Sequence, residues 1–396
     1  SRAGTDVGEA WDAERTLVLQ RALRELLYPA LLRQTCEAAK REAEGALVAE
    51  CARRLRTLAF APPFRVASET LRAEEKRRTG DGYDARGKKK KKKRQGADEA
   101  EETSWYPTAS NSFYPRRACV VGVSLVPDER LVHFCAVDEH GELQDRLTCR
   151  WLHINLRRRD GVSELDATRK TTELAKLEAF FTKAGTEAVA VGANDLQSRR
   201  VCKELESVAF ALALRALLGR GSANGGVADA AVKSYYTCAF PESEEPLPEF
   251  STIKRHDVMA RSPFRTVLCD ESIGRVWGNS EAAERELFDL AHPERTAIYS
   301  ARALQDPCLE MAHVATPGGV SLRALALHPL ASELDPEALG AALETEMVDA
   351  ACRLGFDVHD ALTHEHRAGL LQFVPGLGAR KAKALLRGLQ ESGSGR

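Results

Sequence analysis

The sequence predicts an α/β domain flanked by all-α segments, and three observations carry that prediction. Three strand-like apolar runs follow one another over 118–149, and two shorter ones, 187–192 and 266–270, alternate with helix-patterned stretches. Leucines recur at helical spacing through 11–60. Residues 371–390 read LQFVPGLGARKAKALLRGLQ, a helical pattern broken by a Pro/Gly turn and resumed at once.

Length and composition bound the reading. With 396 residues the chain is long enough for two or three domains. Its formal net charge is −1, so any nucleic-acid contact must come from local patches. Ten cysteines are scattered without a CxxC pair, which reads as free thiols of a reducing cytosol or nucleus rather than a zinc site. No apolar run approaches the ~20 residues of a membrane span, and no signal peptide opens the chain. Neither a metal nor a cofactor is expected. The chain starts at Ser1 and closes on the polar tail 391–396, so it reads as a piece of a larger protein.

Residues 1–63 form an N-terminal helical segment. Leu19, Leu23, Leu26, Leu27 and Leu31 lie on one helical face, as do Leu47, Cys51, Leu55 and Leu58, and both faces are expected to be core. Pro29 should kink or divide the first helix, and Pro62-Pro63 ends the region. Residues 64–117 break the pattern. Charge dominates there, and disorder is expected. Lys88, Lys89, Lys90, Lys91, Lys92, Lys93 and Arg94 form an unbroken basic run. It reads as a nuclear localisation signal, as a loose nucleic-acid contact, or as a solvated insert.

From 118 to 316 the α/β pattern holds. ACVVGVSLV is a buried strand, and LVHFCAVDEHGELQDRLTC is two strands about a turn at Asp138 to Gly141. An amphipathic helix over 166–184 carries Leu174, Leu177, Phe180 and Phe181 inward. EAVAVG, a helix over 196–218, an insert at 219–263, the strand TVLCD and further helices to about Ala312 complete the domain. Helix-linked crossovers return the chain parallel, so a three-stranded antiparallel meander extended by parallel strands follows. This is the ribonuclease-H-like layout.

Residues 317–396 form a helical region. SLRALALHPL is a short strand or turn, and Asp335-Pro336 starts a helix over 337–354. A further helix ends near Val374. Pro375, Gly376, Leu377 and Gly378 then form a tight hairpin, and Ala379 to Leu389 continue as a helix. Such a turn leaves backbone N–H groups without helical partners, and these can hold phosphate oxygens beside Arg380, Lys381 and Lys383. This is the helix-hairpin-helix pattern of sequence-independent DNA or RNA binding, with an ordinary packing turn as the plainer alternative.

A nuclease of the ribonuclease-H layout clamps two divalent metals between carboxylates. One sits on the first strand, one at the end of the fourth, and one on a late helix. Ser124 fills the first place, and Gly192 stands at the second. Asp195 reads as the N-cap of the next helix, Asp270 and Glu271 follow the fifth strand, and Asp306 precedes Pro307 in a structural role. A dead site with no catalytic residue is expected. A metal-dependent nuclease or resolvase using Asp195, Asp270 and Asp306 is the alternative.

VWGNSEAAERELF, ARALQDPCLEMA, LALHPL, GFDVHDAL and LLQFVPGLGARKAKALL occur in order, preceded by RALRELLYPALL and CARRLRTLAFAPPF. In these segments the chain resembles the eukaryotic transcription elongation factor and histone chaperone family called suppressor of Ty six, with bacterial Tex as a more distant relative. The likeness covers about three quarters of the chain and leaves the two inserts unmatched. It implies a YqgF/RuvC-like domain without catalysis, a helix-hairpin-helix domain and a nuclear location. RNA polymerase II elongation complexes and histones are the implied partners, mostly through regions absent from this chain. The Asp of the bacterial relatives is replaced by Ser124, which favours the eukaryotic reading over a Tex-like RNA-binding protein.

Overall fold

The computed structural model describes residues 5–64, 117–152, 154, 164–219, 258–259, 261–355 and 357–393. In chain order the elements are α1 (Asp6–Ala22), α2 (Tyr28–Ala59), β1 (Val120–Val126), β2 (Leu131–Val137), β3 (Leu143–Cys149), α3 (Glu164–Ala184), β4 (Ala188–Gly192), α4 (Leu196–Gly219), β5 (Arg265–Cys269), α5 (Ser272–Gly278), α6 (Glu281–Glu286), α7 (His292–Gln305), α8 (Pro307–Val314), α9 (Pro336–Leu354), α10 (Val358–Thr363) and α11 (Gly378–Gly393). They divide into two compact units: Ser1–Thr57 with Leu322–Met347, and Leu58–Ser321 with Val348–Arg396. The disorder expected over 64–117, with its lysine run, lies outside the described residues but for the ends. So does most of the 219–263 insert.

In the first unit, α1 passes into α2 through a π turn at Leu23–Leu27, where the Tyr28 N–H reaches back to the Leu23 carbonyl. Pro29 has no N–H to give and its ring crowds the carbonyl four residues back, so the wider turn divides the α-helical ladder there. Cys51 and Leu55 are fully buried. The expectation fails for the earlier stripe, where Leu19 is 63% and Leu26 70% exposed and Leu23, Leu27 and Leu31 are exposed as well, and it fails for Leu58 of the second. Periodicity marks a face and does not say what covers it. Leu322–Ala324 is a 3₁₀ turn rather than a strand, and Leu325, Leu327, Leu339 and Leu343 are buried. The Asp335 carboxylate accepts from the Ala338 N–H at 3.1 Å, starting α9 as expected.

The second unit is built on a five-stranded mixed sheet in the order β3-β2-β1-β4-β5. β1 is antiparallel to β2 and parallel to β4, and β4 is parallel to β5. The meander with parallel extensions is therefore realised. Side chains alternate across the sheet. Val121, Val123, Val189 and Val191 pack into one core with Leu174, Leu177, Phe180 and Phe181 of α3 and with Leu205 and Phe210 of α4. On β1, Gly122 lets α7 approach: a Cβ there would stand 1.8 Å from the Ala297 carbonyl oxygen.

Among the described residues the thiols are free, and those of Cys51, Cys135, Cys149, Cys202 and Cys308 are buried. Burial pushes Cys149 and Cys308 up to about 12, which makes them inert.

Candidate nucleic-acid interface

The hairpin is assembled within the second unit. Its first arm is a 3₁₀ helix, Glu365–Phe373, which ends at Val374 where the sequence placed the helix end. Gly369 explains how closely it lies on α8, because a Cβ would come within 2.8 Å of the His313 backbone. Leu370, Leu371 and Phe373 are buried behind it. The turn then closes with the Leu377 N–H donating to the Val374 carbonyl at 3.0 Å. Pro375 and Gly376 occupy its central positions, and Gly376 has φ +85°, the arrangement of a type II turn. Gly378 follows at φ +60° and opens α11. Both glycines sit in backbone regions that L side chains rarely adopt.

Pro375, Gly376, Gly378, Ala379, Arg380, Lys381 and Lys383 are all exposed, and Leu377 is half-buried. A Cβ on Gly376 or Gly378 would meet nothing within 4 Å, so a ligand can approach the backbone directly. First-turn amides of a helix have no helical acceptor, and the positive end of the macrodipole lies there. Lys381 Nζ donates to the Gly376 carbonyl at 3.0 Å, which holds one ammonium against the turn. Ala382 is buried and anchors the helix from behind. The structure thus brings the predicted hairpin residues together on one open, basic surface.

The nuclease-like positions do not assemble as a carboxylate cluster. Ser124 is buried on β1 and Gly192 ends β4. Between them lies Glu271, 1% exposed, whose carboxylate accepts from Arg275 Nε at 3.1 Å and from the Asn194 amide. Burial pushes the Glu271 carboxyl up, while the Arg275 guanidinium, the Ser124 hydroxyl and the Asn194 amide pull it down. Sequence reasoning placed Glu271 after the fifth strand without giving it a role, and passed over Asn194. The signal was Gly192, whose missing side chain makes room for an acid.

Asp270 is exposed and its carboxylate accepts from the Ser272 N–H at 2.9 Å. Asp306 caps α8 by accepting from the Leu309 N–H at 3.2 Å and pairs with Arg117. Asp195 directly precedes α4, and its carbonyl accepts from the Ser198 N–H at 3.0 Å. Asp270 and Asp306 are therefore engaged in turns and caps.

A family model described as a helix-hairpin-helix motif matches residues 320–395. The transcription elongation factor SPT6 of Drosophila melanogaster is 22% identical over 69% of this chain and 12% of its own length. The suppressor of Ty 6 homolog of Caenorhabditis briggsae is 24% identical over 98% of this chain and 20% of its own. The SPT6-like transcription elongation factor of Arabidopsis thaliana is 34% identical over 33% of this chain and 10% of its own. The chain therefore spans a fifth or less of these relatives. Among the described residues, no helix is long and apolar enough to cross a membrane.

Proposed function

We propose, from the premise that this chain belongs to the SPT6 family of transcription elongation factors, that it is a non-catalytic nucleic-acid-binding scaffold of such a factor. The carrying observation is the exposed turn Pro375–Gly378. It carries two glycines at positive φ and leads into a helix whose first-turn amides have no helical acceptor, beside three exposed cations. Phosphate is what such a surface reads, so binding is independent of base sequence.

The sheet order supports a ribonuclease-H-like, YqgF/RuvC-like frame. The Ser124, Gly192 and Glu271 arrangement supports its being inactive. A lone buried carboxylate answered by an arginine offers neither the charge nor the ligands that two dications require. On this reading the protein works in the nucleus beside RNA polymerase and histones.

The test is fluorescence anisotropy with labelled duplex, single-stranded DNA and RNA. A G376V/G378V variant, shown to be folded by circular dichroism, should lose binding at low salt. Parent-like binding by that variant would place the interface elsewhere.

A further inference from the structure

We propose that His140, Asp360 and His364 form a binding site for a divalent transition metal of the zinc class. One ligand atom from each lies within 4.8 Å of those of the other two. The turn between β2 and β3 supplies His140, α10 supplies Asp360, and His364 ends α10. The sequence separates His140 from the other two by more than two hundred positions, so spacing gave no hint of the cluster.

The surroundings are built as metal surroundings are. Glu142 Oε1 sits 3.0 Å from His364 Nδ1. A carboxylate on one ring nitrogen fixes the tautomer and leaves the other nitrogen basic, the usual outer partner of a metal-bound histidine. Arg117 donates to Asp360 Oδ2 at 2.8 Å, and Arg367 donates to the same oxygen. That leaves Oδ1, which lies 3.7 Å from His140 Nδ1. Asp138 sets the turn by accepting from the His140 and Glu142 N–H groups at 2.8 and 2.9 Å. The His140 and His364 rings stack at 4.7 Å and 17°.

Charge agrees with a cation. Glu139, Glu142 and Asp360 lie at the cluster, and Asp138 and Asp306 beside it, against Arg117 and Arg367, so carboxylates outnumber guanidiniums. Two imidazoles and a carboxylate select zinc, cobalt or nickel over magnesium and calcium, which prefer oxygen alone. A tetrahedral ion would draw the ligand atoms to about 3.3 Å from one another. To meet such an ion the half-exposed His140 side chain would turn out of its stack on His364. Three protein ligands leave a fourth position for water. The ion would tie the β2–β3 turn to the segment entering Glu365–Phe373, and so brace the arm of the hairpin.

The test is a titration of the whole chain with Co²⁺, read by visible absorption. One equivalent should bind with the d–d bands of an N/O site, without thiolate charge transfer, and Zn²⁺ should displace it. H140A and H364A should each lose the bands, and H328A should keep them. E142Q should bind roughly tenfold more weakly. Zn²⁺ should raise the melting temperature of the parent but not of H140A. Absence of saturable binding, thiolate-type bands, or a parent-like spectrum in H140A and H364A would each overturn the site.

Discussion

Gly192 and Glu271 share one volume: a Cβ on Gly192 would stand 1.9 Å from Glu271 Oε2. The end of the fourth strand has thus given up its own side chain to an acid from beyond the fifth. That acid is bonded to Asn194 and Arg275.

Gly192→Ala should therefore displace a buried, bonded carboxylate and cost roughly 1–3 kcal/mol of stability. Gly122→Ala should cost more. Its new methyl would meet the Ala297 backbone oxygen rather than a side-chain end. Urea denaturation of the two variants checks the order. A Gly122→Ala protein as stable as the parent would mean that α7 does not rest on β1 as described.

Glu310 sets a pH dependence. Burial, with Glu286 adding, pushes its carboxyl up to about 7, against His313 and Arg302. Between its ordinary value of 4.5 and about 7, the folded chain keeps a proton that the unfolded chain has lost. Stability from this group therefore falls as pH rises through that window, by about 3 kcal/mol in full. His366 works in the opposite sense. Burial lowers it to about 2, so its share is complete above its ordinary value of 6.5 and declines below that. Glu310→Gln should remove the first slope and leave the second. Its urea stability should then rise from about pH 5 to about pH 6.5, where the parent is flatter or falls.

The hairpin should show the salt signature of phosphate contacts. With three cations engaged, log K for duplex DNA should fall against log salt with a slope of about −3. R380A, K381A and K383A should each reduce that slope by roughly 1 without creating a sequence preference. A slope unchanged in all three would remove these side chains from the interface.

Purified protein should leave single strands, duplexes and four-way junctions intact in Mg²⁺ or Mn²⁺. The engaged roles of Asp270 and Asp306, and the arginine beside Glu271, leave no pair of metal-ready carboxylates among these positions. Mn²⁺-dependent cleavage that disappears in Asp270→Asn or Glu271→Gln would overturn the scaffold reading.

A reporter fused to residues 84–96 should enter nuclei, because that segment holds the basic run Lys88 to Arg94. A reporter left in the cytoplasm would reduce the run to a solvated insert.

By itself the sequence determined what a few neighbouring residues can settle. Pro375-Gly376-Leu377-Gly378 dictates its turn through fixed and positive φ values, and Asp335-Pro336 and Asp306-Pro307 start their helices by local capping. The strand runs and their helical links indicated a meander extended by parallel strands, and the structure shows the extension joining at β1. Only the tertiary structure decided which apolar faces are covered. Leu19 and Leu26 share a helical period as regular as that of Cys51 and Leu55, yet only the second pair is buried. It alone set Glu271 in the space of Gly192, and His140 beside Asp360 and His364. Such meetings join residues far apart in the chain, and no local spacing or propensity records a contact made by folding over that distance.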